Sequence, residues 1–294
     1  MRQILLLFIF ILFAFICGSL LSHPVYKLLQ TVTDIPFNKV VSHITSICGL
    51  LFVLAFLKFN SLLDRTTIGY QHHPRKGIGH DVLSGTGVGI LIILVLEIVL
   101  FAFGVHQIEP DLNLPIQLAG YIILKALLTG IAVGVIEETL YRGALLGGLN
   151  KLIGSLPAIL ISSFIYSAVH FIKYPEITTD TLITWSTGLM LLPRAFFRFS
   201  DPVIIDSFLA LFAFGVLLGL VRLNKGNIYQ CIGIHAGVVV AIKLINKLTD
   251  YVPGNEFAFL VNTYDHMLGY LAFIWLLLIS IFYYRKYLVT RTTQ

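Results

Sequence analysis

Glu137 and Glu138, with Arg142 four residues on, stand in the stretch Gly134 to Gly143, GVIEETLYRG, inside an otherwise apolar run. An ionisable side chain near the centre of a bilayer costs roughly 2.5 to 3.5 kcal/mol even on the lenient insertion scales, so three together need a reason. On a helix Glu138 and Arg142 share one face and can pair, whereas Glu137 points about 100° away. That spacing marks Glu138 as structural and Glu137 as a carboxylate available for chemistry.

Two histidines also fall in apolar runs: His170 closes SSFIYSAVHF, and His235 lies between Gly233 and Gly237 in GIHAG. Counted from the turn near Ile153, Glu137 is sixteen residues back and His170 seventeen forward, so a helical hairpin brings them to one depth. A carboxylate in apolar surroundings becomes a better base, and a neighbouring histidine can share the water it polarises. His235, with small residues on both sides, is placed to donate a hydrogen bond to an oxyanion forming on an attacked carbonyl. Glu137, Glu138, Arg142, His170 and His235 therefore suit hydrolysis of an amide within the membrane, with no nucleophilic Ser or Cys. Two glutamates and two histidines are also a possible zinc set. No H-E-x-x-H occurs, however, and pairing Glu138 with Arg142 leaves three ligands without tight spacing, so a site with no metal and no cofactor is favoured.

The elements that must position these groups are helices in lipid. Of 294 residues 57% are apolar and 12% charged, and the apolar runs reach the ~20 residues of a spanning helix. The fold class is all-α, a polytopic membrane helix bundle of about eight transmembrane helices, at 3–21, 40–59, 83–105, 118–149, 157–171, 203–223, 227–248 and 266–288. We read one membrane domain over 1–294, with a catalytic core at 118–247 and accessory helices at 1–117 and 248–294. The first 22 residues read as an uncleaved helix, since no clear small-x-small cleavage site follows them.

Gly85, Gly87 and Gly89, then Gly130 and Gly134, then Gly215 and Gly219, are spaced to let helix backbones approach closely. Glu97 and Lys125 match in depth across a hairpin, which predicts a buried ion pair. Cys17, Cys48 and Cys231 read as small buried residues. His72 and His73 read as an exposed pair in a basic connection in preference to metal ligands.

The net charge of +5 forms no stripe, which argues against nucleic acid. Lys58, Arg65, Arg75, Lys76, Lys151, Arg222, Lys225, Arg285, Lys286 and Arg291 fall on connections of one side, and Glu109, Asp111, Asp250, Glu256 and Asp265 on the other. The positive-inside rule then puts both termini in the cytoplasm. The connection 172–202 runs against that rule, with Lys173, Arg194 and Arg198 on the outer side. Its apolar run 182–192 suits either a lid over the site or a surface-lying connector.

The segment EETLYR matches an E-E-x-x-x-R motif, Tyr166 to His170 resembles F-x-x-x-H with Tyr in place of Phe, and His235 in GIHAG matches a later histidine motif. In this order, from about Leu118 to Lys247, they resemble the CAAX-protease and bacteriocin-processing family of intramembrane proteases. The resemblance implies an eight-span helical core and a glutamate-type endopeptidase. Its substrates would be membrane-associated proteins or peptides, prenylated CAAX proteins among them. One position departs: the family usually has Asn four residues after the last histidine, where this chain has Val239, leaving His235 to act alone there. A non-catalytic scaffold or immunity protein, or a secondary transporter, are the rival readings. The transporter lacks support, since no internal repeat is visible. A bacterial cytoplasmic membrane or the endoplasmic reticulum suits the chain, with the oligomeric state open.

Overall fold

The computed structural model describes residues 2–71, 75–109, 115–177, 182–263 and 265–289. His72, His73, Asp111 and Arg291 lie outside them. The chain runs α1 (Arg2–Leu29), α2 (Phe37–Phe59), the one-turn α3 (Arg65–Ile68), α4 (Arg75–Ala102), β1 (His106–Ile108) and α5 (Ile116–Glu138). A π-helical stretch, Thr139–Leu145, joins α5 to α6 (Leu146–Ile153). Then come α7 (Ser155–Phe171), α8 (Thr187–Ala195), α9 (Ile205–Lys225), α10 (Tyr229–Leu248), β2 (Thr249–Tyr251) and α11 (Tyr270–Tyr284).

Each of the eight expected apolar runs contains a helix, and the protein is an all-α, multi-pass membrane protein. Among the described residues, six helical runs are long and apolar enough to cross a bilayer, not eight. The two that fall short are α7, 17 residues, and α11, 15 residues. The left-handed Gly154, φ +85°, breaks the backbone between α6 and α7, and so limits where α7 can begin.

The chain forms two compact units, 1–63 with 168–204, and 64–167 with 205–294. In the first, Gly18 of α1 lets α2 close in, since a Cβ there would stand 2.5 Å from the Thr45 backbone. Gly188 of α8 likewise lies against the Ser19 carbonyl. Leu191 and Ala195 of α8 join Phe37, Val41 and Tyr174 in a core. Ring contacts from Phe15 to Phe196 and from His23 to Trp185 fix the same segment. The second half of the apolar run in the 172–202 connection thus lies in a helix, α8, docked on α1 and α2.

The second unit is built around α10. Gly85 and Gly89 of α4 meet the α10 carbonyls of Gln230 and Ile234, and Gly233 and Gly237 of α10 meet those of Val82 and Thr86 on α4. Gly130 and Gly134 of α5 approach the Ala236 and Ile232 carbonyls from another side, with built Cβ distances of 2.8 and 2.9 Å. Gly87 faces nothing within 4 Å, so the close-packing pair is Gly85 with Gly89. Glycine at these places brings three backbones together and leaves the side chains between them, His235 included, a fixed position.

The expected Glu97 to Lys125 pair does not form. Glu97 instead receives His106 Nδ1 at 3.0 and 2.9 Å, while Lys125 is exposed and lies 5.8 Å from its own neighbour's ring, Tyr121. Matching the two by depth requires a plain turn after α4. Instead the left-handed Gly104, φ +67°, reverses the chain so that β1 pairs antiparallel with β2 and His106 folds back under α4.

Candidate active site

The segment EETLYRG begins at the last turn of α5 and continues through the π-helical stretch. π turns are rare in helices and often mark functional sites. Here Glu138, fully buried, places Oε1 3.0 Å from Arg142 Nη1. The pair expected from the i, i+4 spacing forms.

The same oxygen lies 2.7 Å from His235 Nδ1, and His235 Nε2 lies 3.8 Å from Glu137 Oε2. A carboxylate can only accept, so Nδ1 carries the proton toward Glu138, and Nε2 is the nitrogen turned to Glu137. Glu137 is half-buried, whereas Glu138, Arg142 and His235 are buried. Glu138 Oε2 and Arg142 Nη2 are buried with no hydrogen-bond partner among the described residues, which leaves polar valence in the interior of the site.

Aromatic rings close the cluster. Tyr166 of α7 lies with its ring 4.3 Å from Arg142 Cζ and edge-on to His235 at 6.3 Å, and Phe214 of α9 stands 5.6 Å from the imidazole. A guanidinium over an aromatic face is stabilised by the ring quadrupole, and more so away from water. α7 is brought to this place by Gly215 and Gly219 of α9, which admit Ser163 and Ile159, and by Ser167 Oγ donating to the Phe208 carbonyl.

A second contact holds the π-helical stretch from outside. Asp64 caps α3 by accepting the Thr66 and Thr67 amides at 3.0 and 2.9 Å and their hydroxyls. Those hydroxyl and amide donors, helped by Lys151, hold the Asp64 carboxyl below the usual carboxylate range. The Thr67 carbonyl lies against Gly147 and the Ile68 carbonyl against Gly143, where any Cβ would collide. Arg222 Nη2 donates to the Thr66 and Thr67 carbonyls at 3.3 and 3.0 Å. The Tyr70 hydroxyl then meets Thr139 Oγ1 at 2.5 Å, one residue from Glu138. The chain from Asp64 to Tyr70 is thus a strap across the glutamate-bearing turn. Sequence reasoning missed it, reading Arg65 and Arg222 only as topological charges, though the Asp N-cap and the Gly69 C-cap bracket four residues in plain view.

Of the expected site residues, Glu137, Glu138, Arg142 and His235 come together in the second unit. His170 is exposed near the end of α7, one turn after Tyr166, and belongs to the first unit. Val239 is half-buried one turn after His235 on α10. Glu138 Oε1 is shared by a guanidinium and an imidazole. Among the described residues no three His, Cys, Asp or Glu side chains are grouped to hold one.

Residues 119–241 match the family model described as type II CAAX prenyl endopeptidase, Rce1-like. No curated protein and no solved structure matches the chain.

Proposed function

We propose, on the match of residues 119–241 to the Rce1-like type II CAAX prenyl endopeptidases, that the chain is a CAAX-protease-type enzyme whose nucleophile is a glutamate-activated water. The substrate is a membrane-associated protein or peptide, and the bond cleaved is an amide. Glu137 takes a proton from water as the hydroxide adds to the carbonyl carbon. It then passes that proton to the amide nitrogen as the C–N bond breaks, leaving a carboxylic acid and an amine. His235 steers the step: Glu138 fixes its Nδ1, so Nε2 faces the reacting groups, sharing the water when neutral and donating to the oxyanion when protonated. Arg142 keeps the Glu138 carboxylate in place. His170 is assigned as an assisting base on the motif resemblance only.

The observation that carries this reading is the single imidazole joined to one glutamate at 2.7 Å and turned toward a second at 3.8 Å. We further propose a bacterial cytoplasmic membrane with both termini inside, and a reaction without metal. The experiment is cleavage of a membrane-peptide library in detergent by wild type, Glu137→Gln, His170→Ala and His235→Asn, each with and without a strong zinc chelator. Cleavage by wild type that withstands chelation and is lost in Glu137→Gln supports the mechanism. Loss on chelation with recovery by zinc replaces it with a metalloprotease. A folded wild type that cuts no peptide, like its variants, favours the non-catalytic scaffold.

A further inference from the structure

Glu97 and His106 take no part in the proposed chemistry, yet both are buried, at the end of the second unit where α4 and α10 finish. His106 Nδ1 faces the Glu97 carboxylate at 2.9 Å, and its Nε2 lies 2.9 Å from the His266 carbonyl, in the connection between β2 and α11. Both neighbours can only accept, so holding the two contacts at once requires a proton on each nitrogen. The groups that face this imidazole come from three elements: Glu97 from α4, Tyr251 opposite it on β2, and His266 from the connection. Asp250 is paired one place along, opposite Gln107, and the Asp265 carboxylate accepts the Met267 and Leu268 amides, each at 2.9 Å.

The connection is held in a conformation that needs this contact. His266 has a left-handed φ of +55°, which costs energy in a residue with a side chain, and its ring lies flat on Tyr251 with 4.3 Å between centroids. Asn262 Oδ1 accepts the Asp265 and His266 amides at 2.8 and 3.0 Å, so the turn satisfies its own amides while the His266 carbonyl is directed to His106. The same connection supplies Val261 and Met267 to the core cluster that holds Val105, and Met267 is fully buried. When the imidazolium loses one proton, the carboxylate keeps the hydrogen on Nδ1, and Nε2 turns a lone pair to the carbonyl oxygen. Two acceptors then face each other where a donor met an acceptor, and the contact becomes repulsive.

We propose that His106 is a proton-dependent latch: with both nitrogens protonated it holds the connection between β2 and α11 closed over this end of the core, and loss of one proton releases it. The proposal is independent of the proteolytic reading, and the opening is local, with the helices still packed. Met267 reports it, as a buried thioether next to His266. The full chain in neutral detergent is treated briefly with hydrogen peroxide at about pH 6 and about pH 9, either side of a raised histidine range. Methionine sulfoxide is quantified by peptide mass spectrometry, with the exposed Met190 as the measure of reagent. Relative to Met190, Met267 should oxidise about tenfold faster at the higher pH, while circular dichroism shows the same helix content. His106→Gln has no ring proton to lose and should abolish the difference. Glu97→Gln removes the carboxylate that retains the proton and should move the rise to lower pH, which decides the matter if the His106 variant does not fold. His266→Asn accepts the left-handed backbone and presents the same carbonyl, so the rise should persist. Met267 equally protected at both pH values, a rise that survives His106→Gln, or exposure that comes only with loss of helix overturns the proposal.

Discussion

His235 Nδ1 donates to Glu138 Oε1 across 2.7 Å, and Arg142 Nη1 reaches the same oxygen at 3.0 Å, so one buried atom joins α10 to the turn that ends α5. Removing the charge on that atom leaves Arg142 buried without its counterion. Glu138→Gln should therefore lose about 3 to 5 kcal/mol of stability. Glu138→Leu with Arg142→Leu should recover most of it, because a buried pair replaced by apolar volume is often neutral, yet cleavage should stay lost. Unfolding in mixed micelles measures the first two, and peptide cleavage the third. A stable Glu138→Gln would show that the pair contributes little to the fold.

The strap gives a separable prediction. Tyr70→Phe removes only the hydroxyl that meets Thr139, beside Glu138. Stability should fall by about 1 kcal/mol. If the strap aligns the glutamates, kcat should drop about tenfold while KM changes little. Thr139→Val should reproduce the drop. A pure stability loss with kcat unchanged would reduce the strap to packing.

Glycine placement predicts a contrast on one helix. Gly89 of α4 lies against the Ile234 carbonyl, and Gly87, half a turn away, faces open space. Gly89→Ala should force α4 and α10 apart and lose roughly 1 to 3 kcal/mol, moving His235 and with it activity. Gly87→Ala should be neutral or slightly stabilising, since alanine is the better helix former. Equal effects at both positions would contradict the observed packing.

What the sequence made legible was local. Glu138 with Arg142 follows from helical spacing, and the glycine pairs follow from their four-residue period; both appear in the structure. The relation of His235 to Glu138 was not legible, because it depends on α10 lying between α4 and α5, and nothing in the spacing orders non-consecutive helices. Glu97 was assigned the wrong partner for a related reason. Depth matching assumes straight hairpins, whereas Gly104 turned a histidine into reach nine residues away. The strap was hidden by its length, since four helical residues carry no periodic signal.

The Glu97 and His106 pair makes stability depend on pH. Burial pushes the His106 imidazole down, but the hydrogen bond and charge of Glu97 and the bond to the His266 carbonyl push it up and prevail. Its Nε2 lies 2.9 Å from that carbonyl, and its Nδ1 faces a carboxylate, so both nitrogens donate, as in an imidazolium. A folded value raised above the unfolded one, about 6.5, gives stability that is complete below that pH and lost as pH rises through the folded value. The melting temperature of wild type should therefore decline from pH 6 toward pH 9, values about the unperturbed histidine range. His106→Gln should flatten that slope and lower the plateau. A wild-type slope retained in the variant would assign it to another group.

Val239 offers the sharpest test of the oxyanion step. It follows His235 by one turn of α10, on the same helical face, so an amide there would stand beside the imidazole. Removing one oxyanion donor from an established site costs about a hundredfold to a thousandfold in kcat. A donor added where the surroundings are not refined for it should recover less, so Val239→Asn is expected to raise kcat about tenfold with KM little changed. The substitution also half-buries an amide, and about 1 to 3 kcal/mol of stability should be lost if it finds no partner in the resting enzyme. Val239→Leu supplies the control for volume and should not accelerate cleavage. A gain in kcat for Asn alone would locate the oxyanion beside His235. No gain, in an Asn variant that folds and retains wild-type KM, would place the developing charge elsewhere and leave His235 with the water and not the carbonyl oxygen.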